Sequence, residues 1–142
     1  MEIKNIKAGV IGAIVASIPY GIMMQMMGMM QVLAGMMGSH SIIVGWMIHM
    51  MIGIIFGILF VVVFGRFVNS SQTAFFTGVG EGVLTWLIGP TIVMPMMFGG
   101  APFSKIDSMS LFTHILFGIV IAFVYYWVSK NNYLAFLYAT RT

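Results

Sequence analysis

The chain reads as all-α, a polytopic membrane bundle of four spanning helices, on three grounds. Only 6% of its 142 residues are charged while 61% are hydrophobic, and a mean hydropathy of +1.06 exceeds what a water-soluble domain of this length hides in its interior. Four apolar runs, at about 8–30, 42–64, 74–97 and 109–129, are each long enough to cross a hydrocarbon core of ~30 Å at ~1.5 Å per residue. Between them lie stretches of glycine, serine, asparagine, proline and charge that read as connections. One transmembrane domain, 1–142, accounts for the whole chain. The small net charge of +3 is not a nucleic-acid footprint, and the absence of cysteine removes disulfides and thiolate metal sites.

The first helix follows Lys4 and Lys7. Its length, the internal Pro19 and the lack of a small-x-small cleavage site set it apart from a signal peptide. Gly9, Ala13, Ser17 and Gly21 recur every fourth residue and form a face that lets another backbone approach closely. Pro19 predicts a kink and a freed carbonyl near Val15. The second helix, Ile42 to Phe64, is uninterrupted by charge and carries His49 between Gly45 and Gly53. The third contains Glu81, Pro90 and Pro95, so its far end is expected to bend. The fourth holds His114 and ends in Tyr125, Tyr126 and Trp127, an interfacial aromatic belt. A break at Asn131 and Asn132 leaves a tail, 130–142, that is too short to span and is expected to lie along the headgroups.

On a four-helix path Lys4, Lys7, Arg66, Lys130 and Arg141 fall on one side and Lys105 on the other. The positive-inside rule then places both termini in the cytoplasm and the protein in the cell membrane. Of the sixteen methionines, all but Met1 lie at 23–51 or 94–109, toward the outer side, as do His40, His49 and His114.

The third helix echoes the first when Pro19 is set on Pro90, with Gly9 and Gly80, Met23 and Met94, and Met26 and Met97 at matching offsets. The fourth echoes the second when His49 is set on His114. Two pseudo-symmetric hairpins of one orientation are the expectation, with both histidines at one depth and facing the central axis.

The motifs G-I-M-M (21–24), G-W-x-x-H (45–49), G-P-x-x-x-M-P (89–95) and S-L-x-x-H-x-x-x-G (110–118) resemble an uncharacterised family of small four-helix prokaryotic membrane proteins. The resemblance spans nearly the whole chain and implies the fold. It carries no activity, cofactor or site role.

For function the sequence offers two classes. In the first, His49 and His114 are paired ligands of haem b or Cu(I) in an electron-carrying or binding module. The soft thioethers of Met23, Met27, Met94 and Met96 are candidate Cu(I) ligands beside them. The plain alternative is that each imidazole only bonds a neighbouring helix and that methionine fills irregular apolar space. In the second class the chain is an oligomeric transporter or channel, or an accessory subunit of a larger complex. Glu81 then serves as a proton or ion relay, and copies meet through Gly53/Gly57 or Gly78/Gly82. A carboxylate inside a span costs ~3 kcal/mol unless it is protonated or paired, and Lys7 and Arg66 are the expected partners. Gly78, Gly80 and Gly82 are not a phosphate loop, since no Lys-Ser/Thr follows. No nucleophile constellation, paired carboxylates or zinc spacing is present, so hydrolytic chemistry is not expected.

Overall fold

A computed structural model describes the backbone of residues 3–104 and 106–139, with side chains described from 5 to 131 apart from residue 105. Lys105 and Arg141, two of the basic residues that orient the chain, lie outside this set. Among the described residues there are helices and connections and no strand. They are α1 (Ile3–Met26), α2 (Met29–Gly35), α3 (Ile42–Val63), a 3-10 turn (Gly65–Phe67), α4 (Ser71–Trp86), a π-helical segment (Leu87–Val93), α5 (Met94–Met97) and α6 (Ser108–Ala139). Four stretches, Asn5–Met26, Ile42–Val63, Ser71–Met97 and Ser108–Asn131, are long and apolar enough to cross a membrane, so this is a multi-pass membrane protein.

The observed ends differ from the expected ones for local reasons. The first helix stops at Met26 instead of running to residue 30, because Gly28 takes a left-handed φ of 74°, a conformation glycine adopts without a Cβ penalty. The third begins at Ser71, where a capping box forms: the Ser70 hydroxyl accepts from the Thr73 amide (3.2 Å) and the Ser70 amide donates to Thr73 Oγ1 (3.0 Å). The Asp107 carboxylate caps α6 by accepting from the amides of Met109 (3.1 Å) and Ser110 (3.0 Å). The expected break at Asn131 and Asn132 does not occur, since α6 continues to Ala139. Asparagine costs only a few tenths of a kcal/mol in a helix interior, roughly 0.7 at most.

Glycine decides which helices touch. Gly53 sits against Ser17, and Gly57 against Ala13 and the carbonyl of Gly9 (2.6 Å to an added Cβ). The small-residue face of α1 is thus spent on α3. On the other side Gly118 sits in a notch between Gly78 and Gly82, where an added Cβ would lie 2.5 Å from the Gly82 nitrogen. The two contacts are related by a constant step of 65 residues: 13 to 78, 17 to 82, 49 to 114 and 53 to 118. This is the histidine spacing. Setting Pro19 on Pro90 requires a step of 71, so the expected proline match is out of register with the packing; the residue equivalent to Pro19 is Leu84.

α1 also packs on α6, because Gly12 admits the backbone of Ile121 (2.8 Å from an added Cβ to its carbonyl oxygen). The residue equivalent to Gly12 on α4 is Thr77, whose branched Cβ does not allow the same close backbone approach. α4 and α3 accordingly do not pack along their lengths, and the order around the bundle is α3, α1, α6, α4. The core is Ala8, Ala13, Ala16, Phe60, Val61, Ala74, Phe117, Ile121, Ala122 and Tyr125.

Because Gly53, Gly57, Gly78 and Gly82 are all buried inside one chain, they are not free for contacts between copies.

Candidate functional site

A cavity of about 310 Å³ lies at the end of the bundle that carries α2, walled by α1, α3, the π-helical segment, α5 and α6. Eight methionines line it: Met23, Met24 and Met27 of α1 and the turn after it, Met29 and Met36 of the α2 region, Met94 and Met97 of α5, and Met109 of α6. His49 and His114 line it too, as do Tyr20, Phe56, Pro90 and Phe117.

Each imidazole is oriented by a backbone carbonyl. His49 Nε2 donates to the carbonyl of Ser17 at 2.9 Å, which fixes its tautomer and leaves Nδ1 with the lone pair. Gly21 makes room for this ring and for Trp46, since an added Cβ would lie 3.0 Å from His49 Cδ2 and 2.5 Å from the indole. Trp46 is held in turn by donating its Nε1 proton to Gln25 Oε1 at 2.6 Å. His114 Nδ1 donates one turn back to Ser110 at 2.7 Å. The Tyr20 hydroxyl lies 3.1 Å from Nδ1 and 3.4 Å from Nε2. With Nδ1 committed to Ser110, the phenol donates to Nε2. The Tyr20 ring stands between the histidines, its centroid 5.9 Å from His49 and 5.3 Å from His114.

The structure therefore brings five of the expected ligands, His49, His114, Met23, Met27 and Met94, onto one cavity. Met96 is not among them. It lies off the cavity lining, because a residue two positions from Met94 points to the opposite side of the helix. Sequence reasoning missed Tyr20, although it shares a helical face with Met23, Met24 and Met27. It also missed the methionines of α2, which a continuous first helix would have carried away from the site.

Pro90 gives this end its irregular wall. It lacks the amide that would close an α-helical turn, and the chain takes a π-helical path from Leu87 to Val93, a form that recurs at functional sites. Thr91 Oγ1 donates to the Leu87 carbonyl (2.6 Å), and the Phe103 amide reaches back to the Thr91 carbonyl (2.7 Å), so carbonyls of the widened turn are satisfied.

Glu81 is fully buried, lies outside the cavity lining, and neither of its carboxyl oxygens has a hydrogen-bond partner. The expected pairing with Lys7 or Arg66 is absent: Glu81 is on the core face of α4 with Ala74, Gly78 and Thr85, while both basic side chains are exposed. An unpartnered buried polar group carries a desolvation penalty. Glu81→Met is therefore expected to raise the free energy of unfolding by about 1–3 kcal/mol, read from unfolding in mixed micelles. A loss of stability would show instead that the carboxyl is partnered in the folded protein.

Among the described residues no group of three or more His, Cys, Asp or Glu side chains gathers as a metal site, so a metal here depends on thioethers. The profile of a family of unknown function, DUF6789, matches residues 3–135, and the chain belongs to that family. The chain matches no curated protein and no solved structure.

Proposed function

We propose that this member of a family of unknown function is a membrane-embedded Cu(I)-binding module, with both termini cytoplasmic and the methionine-lined cavity toward the outer face of the cell membrane. One observation carries the reading: eight thioethers and two imidazoles, from α1, α2, α3, α5 and α6, converge on a single cavity, while the opposite half of the bundle holds no methionine beyond Met1. Filler has no reason to avoid half of a membrane protein. Thioether sulfur and imidazole nitrogen are ligands that select Cu(I) over harder ions.

The same geometry ranks copper above haem. Axial ligation needs two imidazole nitrogens facing one another across a macrocycle. Here Tyr20 stands between the rings and His49 Nε2 is turned onto the Ser17 carbonyl. A Cu(I) ion needs neither ring to move onto the other. Met23, Met27 and Met94 supply sulfur, and one imidazole completes the set through His49 Nδ1, or through His114 Nε2 once Tyr20 releases it.

The test is competition for Cu(I) under reducing conditions between a chromophoric chelator and protein in lipid nanodiscs. One ion per chain is expected, with sulfur scatterers in its X-ray absorption spectrum. Met23→Leu, Met94→Leu and His49→Ala should each weaken binding by about 10–100-fold, and Met96→Leu should leave it unchanged. If copper stays on the chelator, or if Met96→Leu weakens binding as much as Met23→Leu, the reading is wrong.

A further inference from the structure

A second cavity, of about 330 Å³, adjoins the first. It is bounded by Met29 and Val32 of α2 on one side and by Pro90, Met94, Phe98 and Ser104 on the other. Met29, Pro90 and Met94 line both cavities, so the two spaces share one wall, and that wall carries two thioethers.

The packing of α2 determines which side of this end can open. α2 lies with its backbone against α3: an added Cβ on Gly45 would collide with the carbonyl oxygen of Met30 and lie 2.8 Å from its carbonyl carbon. Met30 and Ala34 are fully buried there. No comparable contact joins α2 to the π-helical segment or α5. Across that gap the two sides face one another through side chains that line the two cavities. On its far side residues 99–104 are pinned, by the Gly100 amide on the Pro95 carbonyl (2.8 Å) and the Phe103 amide on the Thr91 carbonyl (2.7 Å). The second tie holds Phe103 at φ 62°, a conformation uncommon for a residue with a Cβ.

We infer that the second cavity is the entrance to the site, and that Met29 and Met94 form an exchange pair that takes Cu(I) from an external donor and passes it inward to Met23, Met27 and the imidazole. This rests on the Cu(I) reading above. Thioethers suit such a relay because they are neutral and polarizable, so an incoming sulfur replaces a departing one without moving charge or proton. The class of donor follows. It is a water-borne Cu(I) complex with soft, exchangeable ligands, presented at the α2 end.

The test separates entry from final affinity. Protein in nanodiscs is mixed with Cu(I) bound to bicinchoninate, and loss of the violet absorbance gives the rate of transfer, while equilibrium titration gives the affinity. Ser104→Trp and, as a second route to the same end, Val32→Trp fill the second cavity. Each should slow loading and removal about tenfold with the equilibrium affinity unchanged. Met23→Leu should show the reverse, weak affinity with entry still fast. If both tryptophan variants load at the rate of the unsubstituted protein, the entrance lies elsewhere and the inference is overturned while Cu(I) binding stands. If the unsubstituted protein takes no Cu(I) from the chelator, the Cu(I) reading itself fails, and the entrance with it.

Discussion

Gly118→Ala is expected to unfold the α4–α6 pair. An alanine methyl at this position would meet the carbonyl oxygen of Gly78 on one side, and on the other the nitrogen (2.5 Å) and Cα (3.0 Å) of Gly82. All are backbone atoms, so no rotamer change relieves the clash and the helices must separate. Overpacking against side chains costs roughly 1–3 kcal/mol; against two backbone segments at once, a loss at or beyond about 3 kcal/mol is expected, a large share of a stability of ~5–15 kcal/mol. Among the described residues α4 packs along no other long helix, since it does not pack along α3. The measurement is the unfolding midpoint in mixed micelles, with Gly35→Ala as the control. Gly35 is helical and has nothing within 4 Å of an added Cβ, so alanine there should be neutral or slightly stabilising. A native midpoint for Gly118→Ala would show that α4 and α6 are not packed as described.

The second large effect is on the site. Gly45→Val places two methyl carbons where the Met30 carbonyl lies, with Met30 Cα only 3.1 Å from the first added atom. α2 must leave α3. It takes with it the methionines it contributes to both cavities and exposes Met30 and Ala34, which are otherwise fully buried. The α1–α3 contact, at Gly53 and Gly57, is untouched. The expected result is therefore a folded protein with its membrane spans intact, a new protease-sensitive stretch between Met26 and Ile42, and Cu(I) affinity reduced by about tenfold or more. Unchanged proteolysis together with unchanged affinity would show that α2 is not seated through Gly45.

What was legible in the sequence follows from what leaves a periodic mark. The four spans are visible because burial in hydrocarbon demands unbroken apolar runs. The α1–α3 contact is visible because close backbone approach demands small residues every fourth position. The two histidines line one cavity, and their equal spacing from small neighbours is the sequence mark of that placement. The proline match misled because Pro19 lies within continuous α-helix whereas Pro90 opens a π-helical turn; one residue type has two backbone outcomes, and nothing local distinguishes them. Gly28 escaped notice in a methionine run that reads as helix, and that single left-handed residue creates α2. The place of Tyr20 between the imidazoles depends on α1 meeting α6 at Gly12, a contact that carries no sequence period because it is made once.

Gathering methionine at one end also sets how the protein ages under oxidants. Sulfoxidation turns a flexible apolar side chain into a polar one. Met26 and Met37, 85% and 73% exposed, are open to it first, whereas Met30, with no exposed surface, is protected until α2 lifts away. The cavity methionines lie between these extremes. Each sulfoxide there replaces a soft donor with a hard oxygen and admits water where a sulfur had excluded it. Damage therefore accumulates at the α2 end, while at the Arg66 end only Met1 offers a thioether to mark.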